Sequence, residues 1–213
     1  MKFRDRTEVG KLLSYRLEKY RGEDVMIYAL PRGGVVTAKE IAKHLHAPLG
    51  IVIARKIGHS QNPEYAIAAI AENGHIVGDK DEMDSVSKEW LKEEIKKERI
   101  EAKRRRETYL SGGTGISPRG KVAILVDDGV ATGLTIRVGI MELRSQKPKK
   151  IIIAVPVIPE SVALQIEGKV DELVALTIPP DNSYLGSVAC YYEDFPQVTD
   201  KKVIEILKGR SSI

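Results

Sequence analysis

Two adjacent aspartates, Asp127 and Asp128, separate an apolar run from a loop that contains two glycines. Carboxylates accept hydrogen bonds from hydroxyl groups. A glycine loop that leads into a helix offers N–H groups and the positive end of the helix dipole to an anion. A sugar phosphate needs both kinds of partner. The segment therefore predicts a site in which the two carboxylates bind sugar hydroxyls and the loop surrounds a phosphate, with contacts from Gly129, Ala131, Thr132, Gly133, Leu134 and Thr135.

Simpler interpretations of this loop remain open at this point. Asp128 and Gly129 are typical of an ordinary turn, and Thr132 is a plausible helix N-cap. The two common nucleotide-binding patterns, G-x-x-x-x-G-K-[ST] and G-x-G-x-x-G, do not occur in the chain.

A second glycine loop stands in an equivalent position. Pro31, Arg32, Gly33 and Gly34 follow the apolar segment 24–30 and precede a helical pattern. Two glycines and a guanidinium at a helix start can bind a polyanion. The alternative is a tight strand-to-helix turn. Arg55 and Lys56 come after the next apolar segment and are expected at the same edge.

Strand-like and helix-like segments alternate along the chain and must position these residues. The alternation predicts an α/β fold with a doubly wound, mainly parallel sheet and flanking helices. Asn73-Gly74 predicts a β-hairpin between 66–71 and 75–78. The remaining predicted strands are 24–30, 49–54, 122–126, 151–157 and 172–176. The predicted helices are 7–21, 35–46, 85–110, 132–144, 159–167 and 200–208, the last with Asp200 as N-cap. The stretch 55–64 is expected to be irregular, and 111–115 to be a flexible connector.

The segment 124–135 resembles the motif of type I phosphoribosyltransferases that binds 5-phosphoribosyl-1-pyrophosphate (PRPP): apolar residues, two acids, two spacers and Ala-Thr-Gly-x-Thr. FRDR at 3–6, LPRGG at 30–34, RKIG at 55–58 and YYEDF at 191–195 are similar to one group within this family, whose acceptor is unassigned. The resemblance covers most of the chain. It implies one domain over 1–213, with a core at 22–177 and a small hood at 178–198 to which 1–21 can contribute.

The resemblance also implies an activity. Ribose 5-phosphate would pass from PRPP to a nitrogenous base with release of pyrophosphate, in a cytoplasmic homodimer that uses Mg²⁺ near Asp127 and Asp128. Residues 31–34 would bind pyrophosphate, in a loop that often has a strained or cis peptide bond, while Arg55 and Lys56 stabilise the leaving group. Residues 58–64 would form a mobile loop over PRPP. On the base side, Glu64 and Tyr184 are candidate contacts.

One departure from the family pattern bears on the acceptor. Hypoxanthine-guanine enzymes carry an aspartate before the Thr-Gly of the motif, and this chain has Ala131 there. The adenine and uracil types are therefore favoured over a 6-oxopurine type.

Composition excludes few classes of function. The formal net charge is +4, Cys190 is the single cysteine, and no apolar stretch reaches the length of a membrane span. Cys190 is expected to be buried. The four histidines have no metal-ligand spacing. Residues 88–106 hold nine Lys or Arg, but Glu93–Lys97 and Glu101–Arg105 predict a self-paired, solvated helix, and a nucleic-acid partner is not expected.

Two other functions remain open. One is a non-catalytic PRPP- or nucleotide-sensing regulator of the same fold, with RNA bound through 88–106. The other is a hydrolase or phosphatase that acts on a related sugar phosphate, with Asp127 near a metal.

Overall fold

A computed structural model describes residues 2–111 and 115–209. Its centre is a five-stranded parallel sheet formed by β1 (Val25–Ala29), β2 (Leu49–Ile51), β6 (Val122–Val126), β7 (Lys150–Val157) and β8 (Glu172–Thr177). The strand order is β2-β1-β6-β7-β8. A second, antiparallel sheet contains β3 (Ala54–His59), β4 (Asn62–Ala71) and β5 (Ile76–Gly78). The α/β fold with a mainly parallel sheet is confirmed.

Helices cover both faces of the parallel sheet because its strands are apolar on both sides. On β1, Val25 and Ile27 pack into one cluster with α1 (Arg6–Arg16), α2 (Gly34–Leu45), α4 (Lys88–Leu110) and α7 (Asp200–Lys208). Met26 and Tyr28 face the other way, toward α5 (Leu134–Ser145) and α6 (Glu160–Glu167). A short helix, α3 (Lys80–Asp84), precedes α4. In the described ranges, no helix is long and apolar enough to cross a membrane.

The strand order places both glycine loops side by side. The order reverses between β1 and β6, which are neighbours and run parallel. In open α/β sheets, ligands bind in the crevice at the carboxyl ends of the strands where this reversal occurs. The loop after β1 holds residues 31–34, and the loop after β6 holds 127–133.

The region 55–64 is more regular than predicted. Of the strand predicted at 49–54, only Leu49–Ile51 forms β2, and Ala54 is already the first residue of β3 in the second sheet. Residues 58–64 thus form the end of the β3–β4 hairpin, with register shifts on both sides of Gly58. Gly58 allows this geometry because a Cβ there would lie 2.1 Å from the Pro63 carbonyl oxygen. The predicted hairpin around Asn73-Gly74 is confirmed between β4 and β5.

Smaller differences concern helix ends and one cysteine. The predicted helix 7–21 is α1 followed by a 3-10 turn at Glu18–Tyr20, and the helix predicted at 85–110 begins at Lys88. The N-cap of α7 is Thr199, whose hydroxyl accepts from the Lys202 N–H, so Asp200 is the first helical residue instead. Cys190 is exposed, since it lies on a surface 3-10 turn. Of the predicted connector 111–115, residues 112–114 lie outside the described part of the chain.

Candidate active site

The loop after β6 presents the two aspartates to a cavity of about 310 Å³. The backbone N–H of Asp128 donates to Oδ1 of Asp127 (2.9 Å). Burial and the negative charge of Asp128 hold the pKa of Asp127 well above its usual range, although the Asp128 N–H and Lys56 act in the opposite direction. The floor of the cavity therefore carries a carboxylate pair in which one member resists ionisation.

The same loop continues into an uncapped helix start. Gly133 has a φ of 72° and precedes the first residue of α5, and no side chain in the described structure caps this end. The left-handed conformation suits glycine because other residues meet a Cβ clash there. Gly129, Ala131, Thr132, Gly133 and Thr135 all line the cavity. Leu134 instead packs into the core with Ala69 and Ala71.

The loop after β1 closes the opposite wall. The peptide bond between Pro31 and Arg32 is cis, as the resemblance implied. Pro31, Arg32 and Gly33 line the cavity. A Cβ on Gly33 would lie 1.8 Å from Oδ2 of Asp128, and one on Gly34 would lie 2.9 Å from the Val126 carbonyl oxygen. The two glycines therefore let this loop lie directly against the aspartates.

Arg32 is also tied to elements behind the loop. Its Nη1 lies 3.5 Å from Oδ1 of Asp200, at the start of α7. The Tyr109 hydroxyl, on α4, donates to the same Oδ1 (2.7 Å). The Tyr109 hydrogen bond, and then Arg32, lower the pKa of Asp200, so this carboxylate stays charged beside the guanidinium.

Lys56 and Arg55 point to opposite faces of β3, as neighbours on a strand do. Lys56 and Ala54 line the cavity. Arg55 is not among the lining residues, and its Nε donates to Oε2 of Glu98 on α4 (2.7 Å). The structure thus brings only one of the two predicted cations into the site.

The two candidates for the base side do not line the cavity. Glu64 is exposed near the end of the β3–β4 hairpin. Tyr184 packs against Tyr191, and its hydroxyl donates to the Val130 carbonyl oxygen (3.3 Å). Burial raises the pKa of Tyr184 to about 12. Neither side chain is among the residues that line the cavity.

Arg6 is a site residue that sequence reasoning missed. Its Nε donates to Oδ2 of Asp128 (2.7 Å), and its Nη1 donates to the Pro196 carbonyl oxygen (2.7 Å). The guanidinium lies 3.6 Å from the ring centroid of Phe195. Both Arg6 and Phe195 line the cavity. In the sequence, only the family resemblance of FRDR and YYEDF pointed to these two residues. Their contact could not be predicted, because the two motifs are far apart in sequence and meet only in the fold.

The N-terminal segment and the C-terminal hood meet as one layer. The Phe3 N–H donates to the Tyr191 carbonyl oxygen (2.8 Å), and the Glu193 N–H donates to the Phe3 carbonyl oxygen (2.8 Å). The Tyr192 hydroxyl donates to the Asp128 carbonyl oxygen (2.6 Å). This layer therefore contacts the backbone of the loop that carries the two aspartates.

Comparison with known proteins identifies the family. The sequence pattern of the phosphoribosyl transferase domain matches residues 6–193, which include both glycine loops and the aspartate pair. The chain belongs to the phosphoribosyl transferase family. A family member from Mycobacterium tuberculosis, provisionally named phosphoribosyl transferase, is 35% identical over 210 residues in both strain H37Rv and strain CDC 1551. That match covers 96% of this chain and 46% of the relative, so the chain spans about half the length of these curated relatives.

Two solved structures have a similar fold. The TT1426 protein from Thermus thermophilus is 34% identical and superposes with a TM-score of 0.79, over 97% of this chain and 98% of that chain. The AQ2163 protein from Aquifex aeolicus is 14% identical, with a TM-score of 0.52 over 82% of this chain and 74% of that one. The second likeness concerns the fold alone.

Proposed function

We propose that this phosphoribosyl transferase domain transfers ribose 5-phosphate from PRPP to a nitrogenous base and releases pyrophosphate. One observation carries the proposal. Two anion-binding loops and a pair of carboxylates face one cavity of about 310 Å³, which is the size range of small-molecule sites. PRPP carries a phosphate at one end, a diphosphate at the other and two hydroxyls between them, so its groups match the three parts of the cavity.

Each part of the cavity has a separate task. The N–H groups at the start of α5 and the hydroxyls of Thr132 and Thr135 bind the 5′-phosphate. The cis-peptide loop, with Arg32 and Lys56, binds the diphosphate. Asp127 and Asp128 accept hydrogen bonds from the ribose hydroxyls between these loops. The layout holds the reactive C1 carbon between the carboxylates and the diphosphate-binding cations.

The reaction asks these side chains for electrostatic help and for positioning. Loss of pyrophosphate takes the bonding electrons of the C1–O bond and leaves positive charge on the ribose ring. The carboxylate pair beneath the ring stabilises that charge, while Lys56 and Arg32 stabilise the charge on the leaving group. The base nitrogen then forms the new bond to C1 and releases its N–H proton to solvent.

The donor set fits Mg²⁺. The cavity offers carboxylate oxygens, which this ion prefers, and Mg²⁺ usually binds one or two carboxylates plus substrate phosphates. No cluster of three or more acid, histidine or cysteine ligands occurs in the described ranges, so an all-protein cage is not what these residues would form. Asp127 and Asp128 would hold the ion together with PRPP. When bound, it would neutralise phosphate charge.

The acceptor side favours a base that needs no carboxylate at position 131. Ala131 lines the cavity, and Asp127 and Asp128 are the only carboxylates among its described lining residues. An adenine- or uracil-type acceptor therefore fits better than a 6-oxopurine. We also propose that the β3–β4 hairpin closes over bound PRPP, and that the domain works as a cytoplasmic homodimer.

Pyrophosphate release tests this function. The protein is incubated with PRPP and Mg²⁺ against adenine, uracil, hypoxanthine, guanine, xanthine and orotate, with Asp127→Asn/Asp128→Asn as the inactive control. Base-dependent release that the double variant lacks would support the transferase and identify its acceptor. Tight PRPP binding without release would indicate a sensor instead, and phosphate release without any base would indicate a hydrolase.

A further inference from the structure

The charged residues of α4 are segregated by type around the helix axis. At 3.6 residues per turn, Lys88, Lys92, Lys96, Arg99, Lys103 and Arg106 fall within an arc of about 80°. Every residue of 88–106 in this arc is basic. We call these six residues the basic stripe. At 1.5 Å per residue the stripe is about 27 Å long, with successive cations about 4.5–6 Å apart along the axis.

The self-pairing expected from the sequence occurs elsewhere on the helix. Lys97 pairs with Glu94 (2.8 Å) instead of the predicted Glu93. Glu101 pairs with Arg105, as predicted, and also with Arg104. Glu98 forms an ion pair with Arg55 of β3. These acids are therefore unavailable to the basic stripe.

Most of the basic stripe keeps its charge unneutralised. Within the described part of the chain, Lys88, Lys92, Lys96 and Lys103 have no ion-pair partner, and all four are exposed. Arg99 is fixed by its Nε, which donates to the Glu72 carbonyl oxygen (3.0 Å), a contact that leaves its positive charge in place. Arg106 alone is paired, with Glu72 (3.1 Å). Glu89, Glu93 and Glu107 lie along only one edge of the stripe.

We infer that the basic stripe binds the phosphate backbone of RNA without regard to base sequence. A row of cations, five of the six without an ion-pair partner in the described part of the chain, suits a regular polyanion, because neutralising its phosphates releases condensed counterions. The arc has no aromatic side chain on which a base could stack and no apolar side chain that could enter a membrane. The six residues also lie outside the set that lines the PRPP cavity. The surface is thus separate from the proposed reaction.

The test uses a fluorescently labelled oligouridylate of about 20 nucleotides and anisotropy at NaCl from about 50 to 200 mM. We expect a dissociation constant on the order of 10 µM at low salt and a slope of log affinity against log salt of about −3.5, from about five contacts at −0.7 each. Lys92→Gln/Lys96→Gln/Lys103→Gln should weaken binding at least tenfold and reduce the slope by about 2.

A matched control separates the stripe from net charge. Lys97→Gln/Arg104→Gln/Lys202→Gln removes three exposed cations that are each paired in the structure, with Glu94, Glu101 and Glu205 respectively. This variant should bind RNA within about twofold of the unmodified protein, since its cations lie off the stripe. Circular dichroism confirms that both variants are folded.

Three results would overturn the inference. The first is no RNA binding at low salt, and the second is equal weakening in the stripe and control variants. The third is binding to vesicles rich in phosphatidylserine without binding to the oligonucleotide. Since pyrophosphate release is measured without RNA, failure here leaves the proposed transferase activity unaffected.

Discussion

Arg6 and Asp128 form a contact between the first helix and the loop after β6. Their side chains are largely buried, at 9% and 15% exposure, and Nε and Oδ2 are 2.7 Å apart. The Arg6 guanidinium also bonds the Pro196 carbonyl oxygen and stacks on Phe195. This arrangement fixes Oδ2 of Asp128 at the wall of the cavity.

Breaking this pair should be costly. Removing one partner of a buried pair leaves an uncompensated charge, so Arg6→Gln should lower the free energy of unfolding by about 3 kcal/mol. A urea double-mutant cycle with Asp128→Asn should show a coupling of about 1–3 kcal/mol. Arg4→Gln, which disrupts the exposed Arg4–Asp5 pair, should cost less than about 1 kcal/mol. Additive effects of Arg6→Gln and Asp128→Asn would show that the contact contributes nothing to stability.

Asp127 should make the empty protein less stable at neutral pH. Its folded-state pKa is raised above the ordinary 3.8 by burial and by Asp128. The unfolded chain therefore releases this proton more readily. The stability cost appears as the pH rises above the ordinary value and is complete above the raised pKa.

Asp127→Asn removes that cost while its side-chain oxygen can still accept from the Asp128 N–H. We expect the melting temperature of the ligand-free variant to rise by a few degrees at pH about 8, and by less at pH about 4.5. Differential scanning calorimetry at the two pH values measures the difference. A melting temperature at pH 8 that is unchanged or lowered would show that burial of Asp127 carries no such penalty.

At the scale of elements, both loops depend on glycine: the loop after β1 needs the space that a side chain would fill, and the loop after β6 needs a left-handed backbone. Gly133 combines a φ of 72° with a Val162 methyl that would lie 2.5 Å from an added Cβ. The start of α5, where we propose that the phosphate binds, therefore packs against α6 without space for a side chain at Gly133.

Gly133→Ala should destabilise the protein by about 1–2 kcal/mol from the left-handed backbone alone, with a further cost from the contact. Thermal unfolding measures the effect. Gly168→Ala is the matched control, since Gly168 has a φ of −71° and an added Cβ there meets no atom within 4 Å. Equal melting temperatures for the two variants would show that the start of α5 does not require glycine at position 133.

The predictability of these elements follows from how local their signals are. β1, β6 and the hairpin at Asn73-Gly74 were predicted because apolar runs and turn chemistry act over a few residues. The β3–β4 hairpin was not, because Gly58 and Pro63 indicate irregular structure unless their pairing across strands is known. The prediction that Arg55 lies in the site was wrong, because the sequence does not show on which face of β3 its side chain lies.

At the scale of the whole molecule, the site assembles from segments distant in sequence. The first helix, the loops after β1 and β6, the strand β3 and the hood each contribute residues to the cavity. The motif of 127–135 could be identified from sequence because it is contiguous. Arg6 and Phe195 could not, since their contact depends on the hood packing against the N-terminal segment. Asp200, which forms an ion pair with Arg32, lies outside the residues 6–193 that match the family pattern.

The most direct test of the account is calorimetric titration of the protein with PRPP in the presence of Mg²⁺. We predict saturable binding that Lys56→Gln weakens at least tenfold, because Lys56 lines the cavity in which we propose that the diphosphate binds. The matched control is Arg55→Gln/Glu98→Gln, which removes the neighbouring pair on the opposite face of β3 without changing net charge. PRPP binding by this control should stay within about twofold of the unmodified protein. No PRPP binding, or equal weakening by both variants, would contradict the assignment of this cavity.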